Sequence, residues 1–400
     1  SGDLTGDIEN NQFGFAVALS GDGKRLAVGS VGDDTHGENS GKVQVFARDS
    51  RDWVPIGEFL GIDAGSVFGT SIAVSYSGRL LAVGSPFSNR KNGERSGAVH
   101  FYEDVGFDND PRWISTRMEL EGSAENDWFG WSVSLSSDAS RVVIGAPLSP
   151  DQNDQGYARV FDFNEFDNKW VQSGNDISIS GKGNRFGYSV SMDGAGSRVA
   201  IGAHGSNFGD AKNGEALVYH RGGNGNWQIL GFGIVGQKEG DNLGYSVSIS
   251  RDGYYFAVGA PNHHLLMKSS NQDTNMNTNT ADAAPFDCES GTIMNKTSTS
   301  MLGNESVQNT SLSSTKIMCN SSYETAIPSH IPTAPPTLDP RVVGIGMVRV
   351  FEWTTEGYWK ASKDIVADIR GNFGFSVAMS AHGERLAVGL PIANEARLYS

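Results

Sequence analysis

Few side chains in this 400-residue chain stand at spacings that chemistry uses. Asp33, Asp34, His36 and Glu38 gather three carboxylates and an imidazole within six residues, a set that could attract a hard cation. Their spacing is not that of a calcium loop, where alternate oxygens converge on the ion, and they sit among glycines. His263 and His264 are adjacent, so an extended backbone turns them to opposite sides and a shared ion is disfavoured. No nucleophile motif, phosphate loop or metal-ligand spacing of recognised form occurs. The sequence therefore assigns no catalytic residue, no metal and no cofactor.

Covalent chemistry concentrates in one stretch. Residues 263–340 are rich in Asn, Ser and Thr, poor in aromatics, and close on the proline-rich IPTAPPTLDP. Such a composition buries too little apolar surface to offset its ordering entropy, so a flexible insertion is expected. The four Asn-x-Ser/Thr sequons, at Asn295, Asn304, Asn309 and Asn320, all fall there, and glycosylation is the expectation. The two cysteines, Cys288 and Cys319, lie in the same stretch with thirty residues between them. Paired, they would stabilise the loop by ~3 kcal/mol on a chain-entropy argument. Both features point to the secretory pathway.

The rest of the chain is a repeat. A seventeen-residue motif starts at Phe13, Phe68, Phe129, Phe186, Leu243 and Phe373, without insertion or deletion in any copy. Apolar residues alternate in its first half, as in Val133 and Leu135, which is strand periodicity. A short turn leads to a second apolar run ending in glycine, at Gly29, Gly84, Gly145, Gly202, Gly259 and Gly389. A third strand follows (KVQVF, AVHFY, YARVF, EALVY, MVRVF, EARLY), and a fourth carries Trp53, Trp113, Trp170, Trp227 or Trp359. Arg25, Arg141, Arg198 and Arg385 share one place at the head of strand two, and recurrence favours a structural role for them.

Four strands per unit of roughly 57 residues predict an all-β, six-bladed β-propeller over 1–262 and 341–400, interrupted in blade five by 263–340. The chain starts in a fourth strand and ends after a third. Pairing of the N-terminal strand with the last blade is therefore expected to close the ring.

Phe-Gly opens five of the six motifs, and Gly-Ala-Pro stands at 145–147 and 259–261. On these residues the sequence resembles the FG-GAP repeat of integrin alpha-chain propellers. The resemblance implies a propeller that binds partners on the face carrying the strand 2–3 loops and the 4–1 connectors. The family's calcium loops are not matched: the turns SGDGK, SYSGR, SSDAS, DGAGS, SRDGY and SAHGE are short and hold at most one carboxylate at the tip. The family also builds seven blades where this chain supplies six.

A net charge of −15 argues against a nucleic-acid backbone as partner, and no stretch reaches the ~20 apolar residues needed to cross a bilayer. The first ten residues lack the basic start and apolar core of a signal peptide. Blade cores are near copies, while the strand 2–3 loops differ in length and chemistry, and loops on a rigid scaffold carry recognition. The expected contact residues are Asp33, Asp34, His36, Glu38, Arg90, Lys91, Glu94, Asp151, Asp154, Asn207, Asp210 and Lys212. The sequence thus reads as an extracellular or cell-surface binding module for a protein or glycan, without direct membrane insertion, rather than as an enzyme. A propeller hydrolase acting on glycans, or a purely structural domain, is the alternative.

Overall fold

A computed structural model describes residues 4–6, 8, 10–50, 52–107, 110–115, 119–149, 155–181, 183–206, 213–264, 345–367, 371–393 and 395–400. The chain divides into two compact units, one of residues 1–265 with 334–400 and one of 266–333. The second unit, with its four sequons and Cys288 and Cys319, lies outside the described residues.

The first unit is a β-propeller of six antiparallel blades, as the repeat predicts. Blade three shows the plan: Ser132–Leu135, Arg141–Ala146, Tyr157–Asn164 and Lys169–Gln172 pair in sequence order. Strand two is buried on both faces in the first five blades, which explains its unbroken apolar run.

The core lies between blades rather than within them. Five apolar clusters each join one blade to the next, from one–two through five–six. In the blade two–three cluster, Ala73, Ala82 and Phe101 meet Phe129, Val133 and Ile144. Polar ties accompany this packing. Ser71, Ser132, Ser189 and Ser246 each donate Oγ to the glycine carbonyl of the next Phe-Gly or Leu-Gly motif, at 2.7 to 2.9 Å. The recurring arginines act likewise: Arg141 and Arg198 donate to the carbonyls of Gly196 and Gly253 at 2.5 Å, and Arg25 pairs with the buried Asp104 at 2.7 Å.

Two sets of glycines make these contacts possible. A Cβ on Gly84, Gly145, Gly202 or Gly259 would sit 2.0 Å from the next motif's glycine carbonyl. The glycine before strand three bridges to the opening residue of the next motif, as in Gly97 to Phe129 and Gly156 to Phe186. A Cβ at Gly97 or Gly156 would lie 2.2 or 2.3 Å from that residue's oxygen.

Pairing of the N-terminal strand with the last blade falls largely outside the described residues. Blade six holds three strands among the described residues, Ser376–Met379, Leu386–Leu390 and Glu395–Tyr399, and no described N-terminal residue pairs with the last of them. Among the described residues no apolar cluster joins blade six to blade one. The sequence offers a reason: the bridging glycine of the other five repeats is replaced at that position by Asn394. Gly32 N donates to Asn11 O at 3.1 Å, the bond that Gly205 N makes to Asn184 O in blade four. Among the described residues a seam therefore separates blades six and one.

Candidate functional site

The two residues that open each motif set the geometry of the channel mouth. Gln12, Val67, Trp128, Arg185, Asn242 and Asn372, each preceding the motif, have φ between 48° and 57°. The following Phe or Leu anchors the blade, and the next glycine is left-handed again, with φ between 85° and 94°. The residues after that glycine are, in chain order, Phe15, Thr70, Trp131, Tyr188, Tyr245 and Phe375, of which Phe15, Trp131, Tyr188 and Phe375 line a central cavity.

Five of the six are aromatic, and most of them touch. Ring centroids lie 5.3 Å apart for Trp131–Tyr188, 5.0 Å for Tyr188–Tyr245 and 4.8 Å for Tyr245–Phe375. Trp128, from the connector before blade three, stacks on Trp131 at 5.3 Å, and Phe87, from the 2–3 loop of blade two, meets Trp128 at 4.9 Å. His204, standing where other repeats carry the proline of Gly-Ala-Pro, is T-shaped on Tyr188 at 4.2 Å. The result is an aromatic belt through blades two to six, ending at the seam, where Phe15 is 45% exposed.

The belt carries no charge of its own near neutral pH. Burial raises the Tyr188 hydroxyl, and burial together with Tyr188 raises that of Tyr245. Burial, with the Arg185 charge adding, pushes the His204 imidazole down to about 3.

Below the belt is a cavity of about 490 Å³ lined by first-strand residues, including Ser71, Ser132, Ser189 and Ser376, with Trp131, Tyr188, Phe375 and Phe15 at its mouth. None of its lining residues is ionisable at neutral pH. The hydroxyls of Ser71, Ser132 and Ser189 are committed to glycine carbonyls. On the opposite face the strand 1–2 turns are linked by backbone hydrogen bonds, Gly21 to Tyr76, Tyr76 to Ser137, Ser137 to Gly194 and Gly194 to Arg251. Arg251 then reaches from blade five over the ring of Tyr76 at 3.9 Å, with Nε donating to Ser137 Oγ at 3.0 Å. The cavity therefore opens toward the loop face.

The 2–3 loops and 4–1 connectors do share that face. Asn126 N donates to Glu94 O at 2.8 Å and Gly65 N to Glu38 O at 2.7 Å, tying each loop to the neighbouring connector. The expected contact residues fare differently. Asp33 is buried, 1% exposed, and is held by Asn11, Thr35 and Lys42 as an internal organiser of its loop. Asp34 accepts from Asn39 N, and His36 Nδ1 lies 2.8 Å from Gly61 O. Arg90 is tied to Asp63 at 2.7 Å and to Glu119. Glu38, Lys91 and Glu94 are exposed at the rim. Asp151, Asp154, Asn207, Asp210 and Lys212 lie outside the described residues. His263 is buried against Asp241 at 3.1 Å. Among the described residues no group of three His, Cys, Asp or Glu is placed to hold a metal.

One constellation mimics catalytic order. His100 Nε2 lies 2.8 Å from Ser85 Oγ, and His100 Nδ1 lies 3.3 Å from Glu119. Ser85 is only 1% exposed, however, and the same cross-strand pairing recurs as Arg159–Asp176 and Arg349–Asp364 in other blades. It is the blade-two form of a structural pair. Burial alone would raise the Glu119 carboxyl, but His100 and Arg90 beside it hold it at about 2.

The belt is legible in the sequence as the aromatic that follows Phe-Gly or Leu-Gly in five repeats.

A family model described as FG-GAP repeat matches residues 8–46 and 120–161, which span the first three strands of blades one and three. No curated protein matches by sequence. Among solved structures, hydrazine synthase of Kuenenia stuttgartiensis superposes with a TM-score of 0.52 at 14% identity, over 99% of this chain and 80% of that one. A putative 6-phosphogluconolactonase from Bacteroides uniformis gives 0.55 at 9% identity, over 97% and 80%. At these identities the likeness is one of fold.

Proposed function

Taking the chain as an FG-GAP repeat β-propeller, we propose that it is an extracellular or cell-surface recognition module that seats a partner protein on its loop face. The observation that carries this reading is the aromatic belt over an uncharged cavity. A side chain inserted there meets π faces within a few ångströms, which suits an apolar, aromatic or cationic group, each worth about 0.5–2 kcal/mol beyond area burial. The chain's charge of −15 and the exposed rim residues Glu38 and Glu94 favour a basic partner surface around that anchor.

A glycan fits the cavity less well. Sugar recognition needs several free polar groups, and three of the cavity's serine hydroxyls are already bonded. Glycoside hydrolysis needs two carboxylates, which the lining lacks. We read residues 263–340 as a glycosylated, disulfide-bonded appendage, and nucleic acid as an excluded partner. Among the described residues no helix is long and apolar enough to cross a membrane.

The test is capture from extracellular material on immobilised protein, comparing wild type with Trp131→Ala/Tyr188→Ala. Loss of the captured proteins in the double variant, with an unchanged far-UV spectrum, is the expected result. Equal capture by both would refute the reading.

A further inference from the structure

The arc of the belt that runs from Phe87 through Trp128 and Trp131 to Tyr188 is bracketed by two arginines. Arg95 O accepts from Trp128 N at 3.2 Å, and the Arg95 guanidinium lies over the Phe87 ring at 5.6 Å. Arg185 O accepts from Tyr188 N at 3.1 Å, and its side chain is exposed. Among the described residues neither guanidinium is paired with a carboxylate, whereas Arg25, Arg90, Arg141, Arg159 and Arg349 all are. The exposed Glu94 and Glu125 stand near Arg95 in the loop and its connector, so the uncompensated charge is that of Arg185. Of the six residues that precede the motifs, Arg185 alone is charged. Its charge reaches the belt, where burial, with Arg185 adding, keeps the His204 imidazole neutral by pushing it down to about 3.

Two polar atoms of the same arc have nothing to bond. Trp128 Nε1 and His204 Nε2 are buried and, among the described residues, meet no hydrogen-bond partner. An indole N–H and a guanidinium only donate, and a neutral imidazole donates from one of its nitrogens. Buried donors left unmade cost stability, so what this arc lacks is an acceptor. A cation on these rings would be drawn by the π faces but repelled by Arg185. A carboxylate would be paired by Arg185, in a bidentate bond where the fork is free. The cavity of about 490 Å³ has no ionisable lining residue, so a bound ring belongs inside it and the negative charge at its lip. A C-terminal aromatic residue has that arrangement: its side chain enters, its α-carboxylate stays at the mouth, and its chain leads away. A sulfated tyrosine carries its charge at the far end of the ring and would press it against uncharged walls.

We propose that the belt and Arg185 together receive a polypeptide C-terminus that ends in an aromatic residue, with the ring seated among Trp131, Tyr188 and Phe375 and the α-carboxylate bonded to Arg185. The inference rests on the reading of the belt as an anchor site and names the group that the site takes.

The test is calorimetric titration of the 400-residue protein with a short acetylated peptide of glycine and lysine closed by phenylalanine, as the free acid and as the C-terminal amide. The acid should bind at least tenfold more tightly than the amide at low salt, and the ratio should shrink as salt is raised. Arg185→Asn installs the residue that two other repeats carry at this left-handed position, so the backbone is kept. It should abolish the ratio and leave binding of the amide unchanged, whereas Trp131→Ala/Tyr188→Ala should lose both peptides. Equal binding of acid and amide, or a ratio that survives Arg185→Asn, would overturn the proposal and leave the belt an anchor site. So would tighter binding of the same peptide with an internal sulfotyrosine in place of the terminal phenylalanine. Binding that survives the belt substitutions would overturn both the proposal and the reading beneath it. Binding of neither peptide by wild type would overturn the proposal, with capture on wild type and the belt variant deciding the reading separately.

Discussion

Ser246 of blade five donates its Oγ to the carbonyl of Gly374 in blade six at 2.8 Å, although 128 residues separate them. The same bond between Ser189 and Gly244 spans 55 residues and measures 2.9 Å. The long excursion after blade five's second strand thus leaves the junction as it is elsewhere. Its roots explain why: His263 O accepts from both Ile345 N and Gly346 N at 3.0 Å, so the chain leaves and re-enters the blade at one point.

Replacing residues 266–343 by a short Gly-Ser linker should therefore leave the far-UV spectrum unchanged and the melting temperature within a few degrees, because loop-closure entropy varies only slowly with length. Collapse of the fold in the shortened chain would show that the appendage is part of the core.

Gly145→Ala places a Cβ 2.0 Å from Gly187 O, where backbone must give way, and should cost about 2–4 kcal/mol in urea unfolding. Gly389→Ala occupies the same position in blade six, meets only the Ser376 hydroxyl, which can rotate away, and should cost under about 1 kcal/mol. Equal penalties would argue that the seam is closed in solution.

Ser132→Ala removes the 2.8 Å bond to Gly187 O and strands a carbonyl, for a loss of about 1 kcal/mol. Ser376→Ala, which breaks no inter-blade bond, should be neutral within about 0.5 kcal/mol. Urea midpoints of the two variants decide it.

Glu119 gives a pH signature. Its folded value of about 2 lies below its ordinary 4.5, so its contribution is fully present above pH 4.5 and is lost as pH falls from 4.5 toward 2. Glu119→Gln should be less stable than wild type at pH 7, and the gap should close across that window. A gap that persists at pH 2.5 would mean that packing, not charge, is what the substitution removes.

Much of the fold was legible because propeller blades repeat their strand periodicity and turn chemistry in sequence: the six motifs fix strands one and two, and the tryptophans mark strand four. Ring closure was less legible, because phase at the termini reports which strands exist, not whether two blades can meet. That depends on single atoms, such as the missing Cβ of Gly97 that Asn394 does not lack. The candidate site was half legible. Variable loops pointed to the face that carries the belt, yet Asp33 and Arg90 proved to be loop organisers, since a buried carboxylate or guanidinium takes the nearest partner. The belt escaped because an aromatic beside Phe-Gly looks like core until the two left-handed residues before it turn it toward the channel.

Capture from extracellular material on wild-type protein and on Trp131→Ala/Tyr188→Ala, matched for far-UV spectrum, tests the central claim most directly. The account predicts that proteins held by wild type at physiological salt are lost from the double variant and retained by the control Val171→Ala on the outer strand of blade three. Retention by the belt variant, or equal loss from the outer-strand control, would contradict it.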